Sequence, residues 1–208
     1  ALEWMVFAYW IGVLVFALNF LLQLGILLYR SRTSPVIRDG RFRIIELEGD
    51  KAPCSFANYI FINPSKYDWE TYNQILLHEK IHISQNHSLD ILAAELLLIF
   101  QWFNPFAWLY RKELENNLEF LTDNAVLQQE GVEKENYQVS LLKVSVPQLS
   151  LGLTTNYNQS TLQKRIVMMN AKKSNFNTMW KYFFLLPLMV CLVCALNKTI
   201  ANGQTTNT

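Results

Sequence analysis

No position from Trp4 to Tyr29 carries a charge, and only Asn19 and Gln23 break the run with strongly polar side chains. A helix of about 20 apolar residues crosses a bilayer, so this stretch is long enough to span with some tilt. A signal peptide is the rival reading. It calls for basic residues first and a shorter apolar core, whereas here Glu3 precedes the run and arginines follow it. A second apolar run covers Met179 to Leu196. Lys181 near its start can snorkel to the headgroups, and Trp180 and Tyr182 are suited to the interface. Pro187 within it is tolerated where neighbouring helices support a kink. The pattern therefore predicts transmembrane helices over 4–29 and 179–196, with 197–208 as an extracytoplasmic tail.

Between the two runs the periodicity changes. Arg41 to Glu48 alternates polar and apolar residues between Gly40 and Gly49-Asp50, and Ser55 to Asn63 is closed by Pro64; both read as strands. A helix begins near Asp68, a good N-cap residue. Tyr72, Ile75, Glu79 and His82 then fall on one side of it, with His78 beside them. Asn86 to Ser88 ends or bends that helix. Ile91 to Tyr110 is apolar apart from Glu95, Gln101 and Asn104. Asn104-Pro105 favours a break there, because the residue before proline avoids helical angles. A simple crossing would also put one arginine-rich flank on the wrong side. Residues 91–110 are thus expected to be a buried or re-entrant helix pair close to the membrane. A further helix is predicted from about Phe106 to Gln129, before Gly131. The fold class is a mainly α membrane protein with a small β-sheet.

Composition supports this division. Charged residues make up 17% of the chain, below the roughly 25% usual in soluble domains. Arg30, Arg32, Arg38, Arg41 and Arg43 follow the first apolar run, and Lys164, Arg165, Lys172, Lys173 and Lys181 surround the approach to the last one. Positive flanks face the cytoplasm. Residues 30–178 are accordingly expected to form a cytoplasmic domain, with both termini on the far side. No acid occurs after Glu135, so the basic stretch that follows is expected near anionic lipid. The basic residues are few and lack interleaved stacking aromatics, which argues against nucleic acid. Cys191 and Cys194 lie inside the apolar run without a thioredoxin-like context, and Cys54 is expected to stay reduced.

The chemistry centres on His78-Glu79-Lys80-Ile81-His82, an H-E-x-x-H sequence in a helical setting. Two imidazoles four residues apart share a helix face and can hold one Zn²⁺, and the glutamate between them can act on a water there. The rival reading is two ordinary histidines on a helix. Glu119-Phe-Leu-Thr-Asp123 provides the missing pieces, with Glu119 as third ligand and Asp123 accepting a hydrogen bond from a ligand histidine. Glu119 sits among Leu118, Phe120 and Leu121, where a carboxylate needs a partner or a cation. His87 is five residues past His82, the wrong spacing for a metzincin ligand, and reads as structural or near the site rim. Glu79 would take the proton of the attacking water and return it to the leaving amine. Tyr157 and Arg165 are candidate donors to the oxyanion. The strand Tyr59-Ile60-Phe61-Ile62 is a candidate edge for pairing with an extended substrate, a core strand being the equal alternative.

The runs HEKIHISQNHSLDIL and FNPFAWLYRKELENNLEFLTDNAVL together resemble the membrane-embedded zinc peptidase module of bacterial beta-lactam sensor-transducers of the BlaR/MecR type. The likeness is greatest to shorter relatives from Bacteroidetes-type bacteria and covers about Arg30 to Leu196. It implies His78, His82 and Glu119 as zinc ligands, Glu79 as acid/base, and a gluzincin-like domain held between transmembrane helices. It also implies cleavage of a cytoplasmic repressor or of the chain itself after an outside signal. Only a dozen residues follow the last apolar run, and no S-x-x-K motif is present, so the antibiotic-sensing role does not carry over.

These observations lead to a membrane-embedded zinc metalloendopeptidase with one Zn²⁺ per chain, acting on a cytoplasmic protein in signal transduction. The alternatives are a housekeeping protease for damaged membrane proteins and a non-catalytic membrane signalling scaffold. The expected partners are the substrate, the lipid bilayer, a sensor domain or partner outside this chain, and optionally a second copy in a homodimer.

Overall fold

The computed structural model describes residues 2–49, 51–145 and 157–172, together with the isolated positions 183 and 187. The second predicted transmembrane run and the tail lie outside the described residues. Six α-helices and four strands follow in the order α1 (Leu2–Thr33), β1 (Val36–Asp39), β2 (Phe42–Glu46), β3 (Cys54–Phe56), β4 (Tyr59–Ile62), α2 (Trp69–Ser84), α3 (His87–Phe100), α4 (Pro105–Val126), α5 (Lys134–Ser145) and α6 (Tyr157–Asn170). A short 3-10 turn, Pro64–Lys66, joins β4 to α2. The protein is mostly helical with one small sheet.

Helix α1 is the one described helix long and apolar enough to cross a membrane. Only 6% of its most apolar window is buried, unlike the core helix of a soluble protein, which is covered by its neighbours. Contact is concentrated in its N-terminal half. Gly12 faces Trp102 so closely that the indole fills the space of a Cβ. Phe16 stacks on Trp102 and meets Trp108 edge-on, while the Tyr9 hydroxyl donates to the Phe100 carbonyl at 3.1 Å.

The sheet order is β1-β2-β4-β3. β1 and β2 form an antiparallel hairpin, β2 and β4 run parallel, and β3 returns antiparallel to β4. Two expectations change here. The segment Ser55–Asn63 is two strands, because Ala57 adopts a positive φ of 51° and turns the chain. β4 is also not an edge: it is bonded by β2 on one side and β3 on the other, so Tyr59, Ile60, Phe61 and Ile62 have no free backbone to offer an incoming peptide. Ile60, Phe61 and Ile62 are buried, in keeping with a central strand. The free edges are β1 and β3.

Helix α2 lies between two cores. Ile75 and Ile83 pack with Ile44, Ile60 and Ile62 of the sheet. Ile81 packs with Val126, Tyr137, Leu141 and Leu162 from α4, α5 and α6. Asp68 caps the helix by accepting from the Thr71 N–H at 2.9 Å. Asn86, in the left-handed conformation at φ 57°, lets α3 start directly after α2. The chain breaks where Asn104-Pro105 predicted: α3 ends at Phe100 and α4 begins at Pro105, with the Asn104 side chain accepting from the Phe106 N–H. Glu95 and Arg111 close this helical hairpin at 2.6 Å.

Candidate metal centre and active site

The two cores hold α2 from opposite sides and leave His78, Glu79 and His82 facing α4. Glu119 and Asp123, one turn apart on α4, meet them there. His78 Nε2 lies 3.0 Å from His82 Nε2 and 3.4 Å from Glu119 Oε2, and His82 Nε2 is 3.6 Å from Glu119 Oε1. Ligand atoms from these three residues all lie within 4.8 Å of one another. His78 and Glu79 are buried, whereas the Glu119 side chain keeps 28% of its surface exposed. The centre is thus enclosed from the core side and reachable from one direction.

The opposite nitrogens of the two histidines are also held. The Tyr137 hydroxyl donates to Asp123 Oδ1 at 2.7 Å, so its oxygen accepts from His78 Nδ1 at 2.8 Å. That bond puts the proton of neutral His78 on Nδ1 and leaves a lone pair on Nε2, the tautomer a metal ligand needs. His82 Nδ1 lies 3.0 Å from His87 Nδ1, with Thr122 Oγ1 3.4 Å from the same His87 atom. In one tautomer His82 Nδ1–H donates to His87 and Nε2 is free for a metal; in the other, His82 Nε2–H donates to His78 Nε2.

Arg165 of α6 binds both acids. Its Nε and Nη2 meet the two Asp123 oxygens at 2.8 and 2.6 Å, and Nη1 meets Glu119 at 2.8 Å. Asp123 is almost wholly buried, so this bidentate pair supplies the compensation a buried carboxylate needs.

Electrostatics follow from burial and these contacts. Burial raises the Glu79 carboxyl above its ordinary range, opposed by His78 and by a hydrogen bond from Ser55. Burial acts in the same direction on Glu119, but the His78 hydrogen bond and the Arg165 guanidinium hold it well below the usual carboxylate range. Burial, reinforced by neighbouring His78, lowers His82 to about 3, so its ring is neutral. Burial and the neighbouring Asp123 charge push Tyr137 far up, and it stays protonated.

A cleft of about 600 Å³ opens beside the centre, bounded by Ser55 and Phe56 of β3, His82 and His87, Asn116 and Glu119 of α4, and Arg165. Asn116 is buried, and its Nδ2 has no hydrogen-bond partner among the described residues. It lies one turn before Glu119, in the lining of the cleft.

A family model described as BlaR1 peptidase M56 matches residues 51–169, more than half of the chain. The chain belongs to the BlaR1 peptidase M56 family. The matched region holds β3, β4 and helices α2 to α6, and with them every residue of the centre. Membership makes the protein a member of a metallopeptidase family and implies a metal cofactor. Members of the M56 family are membrane proteins, with which the apolar α1 is consistent. A search of curated proteins found no match.

Within this M56 domain the structure brings together Glu79, His78, His82, Glu119, Asp123 and Arg165. Asp123 Oδ1 is 3.6 Å from His78 Nδ1, with the Tyr137 hydroxyl bridging the two. Three of the five Arg165 N–H donors are held by Asp123 and Glu119, and Arg165 also lines the cleft. Tyr157 opens α6, and its side chain lies outside the described residues. Sequence reasoning missed Tyr137, Ser55 and Asn116. Asn116 precedes Glu119 by three and could have been found on the ligand face of α4. Tyr137 carries no motif, and nothing in the residue order ties it to His78.

Proposed function

We propose that the chain is a membrane-anchored zinc metalloendopeptidase of gluzincin type, with His78, His82 and Glu119 as ligands and Glu79 as acid/base. The observation that carries this reading is the triangle of ligand atoms at 3.0, 3.4 and 3.6 Å. Nitrogen and oxygen ligands about 2.1 Å from a tetrahedral zinc lie about 3.4 Å from each other. The tautomers argue the same way. His78 carries its proton on Nδ1, so its Nε2 lone pair faces His82 Nε2 at 3.0 Å, and a metal ion bound there takes the place of the hydrogen bond between the two rings. Glu119 and Asp123 also outnumber the one guanidinium that binds them.

A bound zinc supplies Lewis acidity, which acidifies water and polarises a scissile carbonyl. Glu79, raised by burial and next to the ligand pair, takes the proton of the attacking water and delivers it to the leaving nitrogen. Tyr137 and His87 hold the imidazoles in the ligating tautomer. Arg165 aligns Glu119 and Asp123. Asn116 Nδ2 donates to a substrate carbonyl in the cleft, and the free edge of β3 flanks the bound segment. The arginines after α1 favour a cytoplasmic site, so the substrate is a protein segment presented at the cytoplasmic face, as a regulator or the chain itself would present it.

The test compares the parent with Glu79→Gln in metal content and in new protein N-termini generated in expressing cells. One zinc in both and cleavage in the parent alone is expected. Equal cleavage by both would sink the acid/base assignment. Glu119→Ala should lose the zinc, and full retention would remove it from the ligand set.

A further inference from the structure

A second space adjoins the cleft beside the metal centre. A crevice of about 560 Å³ runs between α1 and the α3–α4 hairpin. Phe56, Ile91 and Leu92 line both the crevice and the cleft, so among the described residues these three side chains are all that the two spaces share as a boundary. At the far end the crevice is shut where Gly12 and Phe16 close on Trp102. Tyr9 lies about 30 Å from Arg30 along α1 at 1.5 Å per residue, which is about the thickness of the hydrocarbon layer. The crevice, lined by α1 residues from Phe16 to Arg30, therefore lies at bilayer depth and ends level with the arginine flank.

Its walls are not simply apolar. Asn19, Gln23 and Arg30 line it from α1, and Glu95 and Arg111 from the hairpin. Asn19 is about 17 Å from the Arg30 level. Gln23 donates to Asn19 at 3.1 Å, and each amide has further donor and acceptor capacity. Polar side chains at such depth face a protein interior, a water-filled cavity or a ligand. Acyl chains offer them no hydrogen bonds. A polypeptide does, above all one that has left its helix, because unwound backbone at membrane depth persists only beside polar protein walls. A peptidase cleft needs its substrate extended.

We propose that the substrate is a membrane-anchored polypeptide. Its apolar segment enters laterally between α1 and the α3–α4 hairpin, and its cytoplasmic flank crosses Phe56, Ile91 and Leu92 into the cleft. This rests on the peptidase reading above and names the substrate class for that site.

The experiment maps cleavage sites that depend on Glu79 in membranes and cytosol of cells expressing the parent or Glu79→Gln. The best-cut segment is then presented twice, fused to a soluble carrier and behind a single apolar span. Sites clustered on the cytoplasmic flank of apolar segments are expected, with the anchored form cut about ten-fold faster or more. Leu24→Trp with Leu27→Trp fills the crevice and should erase that advantage, whereas Leu27→Ala, which widens it, should keep it. Parental zinc content in each variant reports an intact fold. An advantage that survives the filled crevice, or sites spread over soluble proteins, overturns lateral entry and leaves the peptidase reading standing. Absence of any cleavage dependent on Glu79 overturns both.

Discussion

Removing one oxygen atom, in Tyr137→Phe, separates the role of the buried hydroxyl from that of its ring. The ring packs in the core formed by Ile81, Val126, Leu141 and Leu162 and stays in place. The hydroxyl links His78 Nδ1 at 2.8 Å to Asp123 at 2.7 Å. Asp123 keeps both Arg165 bonds in the variant, so the orphaned group is the His78 Nδ1–H. A buried donor left without an acceptor costs about 1–3 kcal/mol. His78 can avoid that cost by moving its proton to Nε2, but that nitrogen then ceases to be a ligand. Groups that orient a metal-binding histidine change affinity by about 10–100-fold, or about 1.4–2.7 kcal/mol at 25 °C. The assay is zinc release to a competing chelator, beside thermal unfolding with and without chelator. Metal stabilises the folded state in proportion to the logarithm of its concentration over Kd. The variant should therefore lose more stability in zinc than in chelator. Equal losses in the two conditions with unchanged affinity would make Tyr137 a packing residue only and refute the tautomer argument.

Four other substitutions test separate parts of the structure. Asn116→Leu removes a buried amide whose Nδ2 lacks a partner; stability should rise by about 1–3 kcal/mol while kcat falls about 100-fold, and parental kcat would exclude it as a carbonyl donor. Gly12→Ala forces a Cβ into Trp102, costing about 1–3 kcal/mol by overpacking, whereas Gly25→Ala meets nothing within 4 Å and should be neutral or stabilising; thermal midpoints in detergent compare the two. The Lys143 hydrogen bond and the Thr71 N–H hold the Asp68 carboxyl below its ordinary range. Its folded pKa is thus below the unfolded value of about 3.9, so its contribution is complete well above that pH and fades as pH falls through the folded value. Asp68→Asn should flatten the acid limb of a circular-dichroism titration below about pH 4, and an unchanged limb would show that the Lys143 pair carries none of it.

How much of this was readable beforehand depends on how local the signal is. The H-E-x-x-H pair and the Glu119/Asp123 pair each lie within one helical turn, where residue spacing alone sets a common face. The break at Asn104-Pro105 is equally local and appears at the predicted residue. The sheet was harder. A four-residue strand such as Val36–Asp39 has too few positions to show a period, and in the Ala57-Asn58 turn the positive φ falls on the alanine, with no glycine to mark it. Whether Tyr59–Ile62 is an edge depends on where β3 folds back, a relation between segments that no alternation pattern encodes. Tyr137, Ser55 and His87 reach the centre through tertiary contacts in the same way.

The same contacts tie the fold to its cofactor. Helix α2 contributes to both cores through Ile75, Ile81 and Ile83, and carries His78, Glu79 and His82. Packing that fixes the cores consequently brings the two Nε2 atoms to 3.0 Å and sets two carboxylates, Glu119 and Asp123, on one guanidinium. The excess carboxylate charge is unfavourable without a cation and favourable with one. Arg165 relieves part of the imbalance by binding Glu119 and Asp123 together, but its nitrogens are held by those carboxylates and not by the facing imidazoles. A divalent metal serves both at once. Binding free energy at this centre therefore enters the stability of α2, α4, α5 and α6 as a group, and chelation should loosen the packing around Tyr137 and Ile81 before it disturbs the sheet core of Ile44, Ile60 and Ile62.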